Sequence, residues 1–292
     1  MLESLLELTT SADLHRSGST PAALMAGGVG LLIGSFLNVV IHRLPQMMQR
    51  EADNYLAHET GKNAPHTERY NLLTPRSACP HCAAPVPAGY NIPVLGYLLL
   101  RGRCTRCEAT ISPRYPLVEI LSTLLSAWLG WHFGLGAAGL AALVFAYFLI
   151  ALSVIDTQTQ LLPDSLTLPL LWLGLLVNLN GNFAPLGDAV LGAAAGYLVL
   201  WAIYWVFRFA TGKEGMGYGD FKLMAALGAW LGWQVLPLVL LLASCLGAMI
   251  GIAMVLMKRK TTDQTLPFGP YLAIAGMLML LYGKSFWYFG WY

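Results

Sequence analysis

The sequence predicts an all-α polytopic membrane protein with about eight transmembrane helices and a small cytoplasmic cysteine-rich domain inserted after the first of them. Three observations carry this. The 292 residues are 57% hydrophobic and only 11% charged, with a mean hydropathy of +0.59, whereas a soluble domain carries roughly 25% charged residues. Apolar runs of spanning length recur along the chain. Nine of the 17 lysines and arginines fall between Arg43 and Arg114, which marks that stretch as cytoplasmic by the positive-inside rule.

A bilayer core requires about 20 apolar residues in a helix. The runs of about that length are Ala22–Leu44, Leu117–Leu135, Ala137–Ile155, Ser165–Asn180, Pro185–Phe209, Phe221–Leu236, Pro237–Met257 and Pro267–Phe289. The fourth and sixth are short, as tilted, partial or broken helices are. Asn91–Leu100 is apolar but too short to span, so it is expected to rest on the membrane or pack in the loop. The implied domains are an N-terminal periplasmic segment (1–21), the first transmembrane helix (22–44), the cytoplasmic loop domain (45–116) and a membrane domain (117–292). Glu3 and Glu7 stand where a cleavable signal peptide carries basic charge, so none is expected. Leu2, Leu5, Leu6 and Leu8 suit a small surface helix. Eight crossings put Arg208, Lys213, Lys222 and Lys258-Arg259-Lys260 on the same face as the 45–116 loop, and both termini outside. The aromatic cluster Phe286, Trp287, Tyr288, Phe289, Trp291 and Tyr292 reads as an interfacial belt. No internal repeat is visible, and nothing points to nucleic acid.

Two aspartates stand at the margins of this apolar background. Asp156 ends the third run, and Asp220 closes Gly215-Met216-Gly217-Tyr218-Gly219-Asp220 just before the sixth. Ionisable residues at membrane depth are costly and tend to be functional or paired. The span count brings both to the cytoplasmic rim, each at a helix end. One reading makes them water-facing terminal residues, with Asp220 capping the next helix. The other uses the three alternating glycines, which let backbone approach a neighbour closely, and makes the pair a catalytic dyad. Two carboxylates sharing one proton cannot both ionise cheaply; one accepts a proton from water while the other polarises a carbonyl. Asp164, a third acid near the site, reads as the N-cap before Ser165, with catalysis as the alternative, and Lys222 either biases the dyad's charge or meets lipid phosphate. Pro267-Phe268-Gly269-Pro270 either shapes the site or simply starts a helix.

Cys79-Pro80-His81-Cys82 and Cys104-Thr105-Arg106-Cys107 form two C-x2-C knuckles about 20 residues apart, the spacing of a tetrathiolate zinc site. In a cytoplasmic loop structural disulfides are rare, and a region too small for its own core gains from a metal staple. A redox dithiol and unmetallated cysteines are the alternatives. Four thiolates leave zinc no open position, so its role is structural. Cys245, alone in the seventh run, reads as a small apolar residue.

Several segments together resemble one family. Gly217-Tyr218-Gly219-Asp220 resembles the GxGD motif of membrane aspartic proteases, and Asp156 with Leu162-Pro163-Asp164 resembles the first catalytic region of the bacterial type IV prepilin peptidases. Phe36 to Pro45, Asn91 to Tyr97 and Ser112 to Glu119 resemble that family's first-helix exit and cytoplasmic domain. The resemblance implies cleavage of short basic leaders from type IV prepilins and type II secretion pseudopilins at the cytoplasmic face of the bacterial inner membrane. It makes Asp156 and Asp220 the protease dyad. It also implies N-methylation of the new terminus with S-adenosylmethionine and associates Gly102 and Arg103 with methyl transfer. Asn38, Arg43 and Glu119 at the domain–membrane junction are further candidates, each with a plain reading as a helix-end polar group, a positive-inside arginine or a helix-start acid. No Gly-rich nucleotide fingerprint is present. A related protease without methylation and a transporter with acidic sites are the competing classes. The oligomeric state is not legible.

Overall fold

The computed structural model describes residues 18–79, 81–213, 215–257 and 266–288. Residues Leu2–Leu8, Lys258–Lys260 and the side chains of the C-terminal aromatic cluster from Phe286 lie outside that set. The described residues are mostly helical and contain no β-strand, only two isolated bridges. Two compact units divide at Gly139 and Leu140.

In the first unit, helix α1 (Thr20–Glu59) packs on α3 (Arg114–Phe133), with a short helix α2 (Leu95–Leu99) between them in sequence. Small residues make the α1–α3 seam. Gly27 faces Ala127, Gly30 faces Ser122 and Ser126, and Gly130 faces Ala22 and Ala26. In lipid the hydrophobic effect does not drive helices together, so close backbone approach through such residues supplies the attraction.

α1 does not stop near Leu44 as the sequence predicts; it runs through Pro45 to Glu59. Proline removes one helical hydrogen bond, and the loop after the helix compensates along the whole extension. Tyr70 donates its hydroxyl to Gln46 Oε1 at 2.8 Å, and Arg50 lies 4.0 Å from the Tyr70 ring centre. Asn54 and His66 exchange two bonds, at 2.9 and 3.0 Å.

The second unit holds α4 (Ala137–Thr159, whose first three residues precede the division), α5 (Asp164–Val177), α6 (Leu186–Thr211), α7 (Tyr218–Leu231), α8 (Leu236–Leu256) and α9 (Gly269–Tyr288). α7 is its centre, touching α5, α6, α8 and α9. Asp220, Phe221 and every residue from Leu223 to Trp230 are buried. Gly192 on α6 and Gly228 on α7 abut backbone to backbone, each occupying the space where the other's Cβ belongs. Trp230 donates Nε1–H to the Leu170 carbonyl at 2.8 Å and lies over Gly174. Asn178, fully buried, donates to the Ala229 and Trp230 carbonyls, both at 2.9 Å. It also accepts from the Phe183 and Ala184 amides at 3.0 and 3.1 Å. That one side chain ends α7 and shapes the turn before α6.

Among the described residues, four helices are long and apolar enough to cross a membrane: α1, α4, α6 and α8. The other predicted spans fall on α3, α5, α7 and α9. α5 and α7 have 14 residues each, in line with the shortness read from the sequence. Cys245 on α8 is exposed rather than packed, as a residue on a face turned to lipid is.

Candidate active site and cysteine cluster

Asp156 lies in the last turn of α4, and Asp220 is the third residue of α7. Their relative exposures are 5% and 7%. Asp156 Oδ2 accepts a hydrogen bond from the backbone N–H of Gly269 at 2.9 Å, at the first residue of α9. The backbone N–H of Gly217 lies on the side of the Asp220 carboxylate and favours its charge. Gly217, not Asp220, is the N-cap, so Asp220 reaches back from the N3 position as the acid of a capping box does. The charge of Asp156 acts directly on Asp220. The second unit therefore brings together the two aspartates that the sequence singles out.

Leu162, between α4 and α5, closes the group. A Cβ at Gly219 would sit 2.7 Å from Leu162 Cβ, and one at Gly269 would sit 2.8 Å from Asp156 Oδ2 and 3.2 Å from Leu162 Cδ2. The glycines thus let the starts of α7 and α9 close on one leucine. Sequence reasoning places Leu162 in a motif without giving it a site role. It leaves Pro267-Phe268-Gly269-Pro270 either shaping the site or starting a helix, with no signal that the Gly269 N–H faces Asp156 across 113 residues.

The neighbouring charges differ from expectation. Asp164 is the first residue of α5, with Pro163 at the N-cap. Its carboxylate takes Lys222 Nζ at 2.6 and 2.7 Å. Lys222 is therefore engaged by Asp164.

In the first unit the four cysteine sulfurs lie within 4.8 Å of one another. Cys79 and Cys107 Sγ are 3.7 Å apart, and Cys82 and Cys104 Sγ 3.9 Å. A tetrahedral zinc with Zn–S bonds of about 2.3 Å has S···S edges of about 3.8 Å, while a disulfide needs about 2.05 Å. The donor set fits zinc. The two knuckles repeat one backbone pattern that the sequence hides. The Cys79 amide bonds the Ala84 carbonyl and the Cys104 amide the Ala109 carbonyl, each at 2.9 Å. Each knuckle carries a positive φ, at Ala83 (53°) and Glu108 (55°), and is flanked by a bridge, Ala78 to Pro85 and Arg103 to Thr110. Backbone N–H groups of Cys82 and His81 aim at Cys79 and lower its thiol pKa. Those of Arg106 and Cys107 lower Cys104 to about 6, whereas at Cys107 the Ala109 amide is outweighed by desolvation and the three neighbouring sulfurs, which push its thiol up to about 12. The shifts at Cys79 and Cys104 favour the thiolates a metal needs; at Cys107 the charge of the metal itself would have to do so.

The remaining candidates all lie in the first unit. Arg43 is buried and donates to the backbone carbonyls of Asn71, Leu72 and Pro75. Glu119 is buried and accepts from the Val94 amide at 2.7 Å. Both therefore hold the loop onto helices. Asn38 donates Nδ2–H to the Tyr115 carbonyl at 2.9 Å, and its buried Oδ1 has no hydrogen-bond partner among the described residues. Gly102, at φ 67°, lies against the Tyr97 hydroxyl. Arg103 is exposed.

Residues 143–252 match the type IV leader peptidase family, and residues 29–133 match the bacterial peptidase A24 N-terminal domain. One match falls in each compact unit. A protein of Aeromonas salmonicida strain A449 named prepilin leader peptidase/N-methyltransferase is 57% identical over 264 residues, spanning 88% of this chain and 90% of that one. The chain belongs to the type IV leader peptidase family. Proteins of the same name from Stutzerimonas stutzeri and Pseudomonas aeruginosa are 54% and 52% identical, over 94% and 88% of this chain and 96% and 89% of theirs. No solved structure matches the chain.

Proposed function

We infer that this member of the family is a prepilin leader peptidase and N-methyltransferase. It cuts the basic leader from type IV prepilins and type II secretion pseudopilins, then methylates the residue it exposes. The observation that carries the peptidase half is the buried pair Asp156 and Asp220, the first held by the Gly269 amide and the two within reach of each other's charge.

In the proposed mechanism the dyad shares one proton. The ionised carboxylate takes a proton from water as that water attacks the scissile carbonyl; the protonated one hydrogen-bonds the carbonyl oxygen and later returns a proton to the leaving amine. Base and acid belong to the pair, which titrates as a unit. The Gly269 amide holds the Asp156 carboxylate and buried α7 holds that of Asp220, which raises their effective concentration at the substrate.

We propose that Cys79, Cys82, Cys104 and Cys107 hold a structural zinc, which would fix the loop carrying Gly102 and Arg103. S-adenosylmethionine supplies an electrophilic methyl group to the new terminal amine. Arg103 has an exposed guanidinium suited to the donor's carboxylate, and Asn38 Oδ1 is a buried acceptor awaiting a donor. Arg43 and Glu119 would act on methylation through the loop they anchor. We propose that the chain crosses the bacterial inner membrane eight times, with the 45–116 domain and the dyad facing the cytoplasm and both termini periplasmic, a reading supported by the positions of the basic residues. Its substrates, each a single-span protein, enter from the lipid.

The test is leader cleavage by purified protein in lipid nanodiscs. Asp156→Asn and Asp220→Asn should each lower cleavage at least 1,000-fold, an order consistent with losing an acid–base partner. They should leave the melting temperature and the methylation of a leaderless substrate in place. Near-normal cleavage by either variant would remove that aspartate from the mechanism.

A further inference from the structure

We propose that α2 and the arginines just after it form an interfacial anchor binding anionic lipid headgroups, clamped beside the start of α3. The helix presents one apolar face to the outside. Leu95, Leu98 and Leu99 stand at i, i+3 and i+4, the spacing of one helical face. Leu98 and Leu99 are 61% and 68% exposed. The opposite side is already spent: Gly96 packs on the Tyr90 carbonyl, and the Tyr97 ring covers Gly102. Ile92, just upstream, is exposed as well.

Cationic side chains come directly after the helix. Arg101, Arg103 and Arg106 are all exposed. Among the described residues no carboxylate pairs with any of them. An apolar face bordered by unpaired arginines is the composition of a segment lying in the headgroup region, with leucines in the acyl boundary and cations on lipid phosphate.

The place where this helix is tied identifies the occupant. The Val94 amide, one residue before α2, is held by Glu119 Oε2 at 2.7 Å. Glu119 sits near the start of α3, whose neighbouring residues Leu117, Ile120, Leu121 and Leu124 are exposed and apolar. The predicted span Leu117–Leu135 falls on α3, and on that reading these residues face acyl chains. The α2 face would then be fastened where α3 enters the headgroup region, and lipid is the surface that continues past it. An anchored α2 would also hold Gly102 and Arg103 at the membrane surface. That consequence rests on the methyltransferase reading, while the anchor itself does not.

The test uses the full-length protein with a genetically encoded fluorescent amino acid at position 98, in nanodiscs of phosphatidylcholine with increasing phosphatidylglycerol. Lipids brominated in the upper acyl chain should quench at least half of the emission once phosphatidylglycerol is present, and aqueous iodide should quench little. Arg101→Gln should raise the phosphatidylglycerol fraction needed for half-maximal quenching roughly fivefold. Zinc content and melting temperature of the labelled protein report an intact loop. The anchor is refuted if iodide quenches the label as it does the free amino acid. It is equally refuted if bromolipid quenching appears only after a leader-bearing substrate is added, or only when two copies share a disc. Those outcomes assign the face to substrate or to a second chain.

Discussion

Gly269→Ala is a one-carbon perturbation aimed at the hydrogen bond that orients Asp156. The new methyl would lie 2.8 Å from Asp156 Oδ2 and 3.2 Å from its Cγ, so the carboxylate must retreat by roughly 0.5 Å to reach ordinary contact. That retreat lengthens and misaligns the 2.9 Å bond from the Gly269 amide. A hydrogen bond to a charged group contributes about 1.5–3 kcal/mol, and 1.36 kcal/mol corresponds to a tenfold change in rate. Cleavage should therefore fall about 10- to 150-fold in kcat. KM should change little, because the methyl touches the catalytic carboxylate rather than the surface a substrate helix docks on. The assay is single-turnover cleavage of a fluorescent leader-bearing substrate in nanodiscs, with methylation of a leaderless peptide as the control for folding. A Gly269→Ala protein with wild-type kcat would show that the α9 amide does not position Asp156. Equal loss of cleavage and methylation would show general damage instead.

Metal analysis should find about one zinc per chain. Zinc should be lost from the Cys79→Ser/Cys104→Ser protein, and retention should fall as pH drops, since protons compete with metal for the four thiolates. Asn178→Leu strands the Ala229 and Trp230 carbonyls and the Phe183 and Ala184 amides. At 1–3 kcal/mol per unpaired buried group, offset by relaxation, it should destabilise the protein by about 3 kcal/mol or more, seen as a lower melting temperature in micelles. Gly228→Val drives a branched side chain into the Gly192 backbone and should abolish folded protein in size-exclusion chromatography; a monodisperse peak with wild-type melting would contradict the α6–α7 packing.

Local pattern accounts for the features legible in the sequence. The helices of the second unit lie where the apolar runs are, because burial in lipid demands continuous apolar length. The cysteine cluster is legible because two short-range spacings suffice to define it. Asp156 and Asp220 stand out because a carboxylate in an apolar background is rare. The misses have a common cause: they depend on partners distant in sequence. Nothing in Pro45 announces that Tyr70 and His66 will carry the helix past it. Asp164 reads as a cap because capping is local, whereas its partner Lys222 is 58 residues away. Leu162 and Gly269 enter the site only once α7 and α9 converge, and Asn178 looks like a loop residue until α7 ends upon it.

The burial of α7 has an evolutionary consequence. A helix enclosed by four others has little surface free to vary beyond Tyr218 and Lys222, so Asp220 is a stationary reference point within its unit. Adaptation to new substrates must then be written elsewhere: in the turn from Gln160 to Pro163, in the approach to α9, and on helices that still present a face to lipid. The catalytic coordinate and the recognition surface can drift at different rates. Leader repertoires could diverge among relatives while the post that carries the second aspartate scarcely changes.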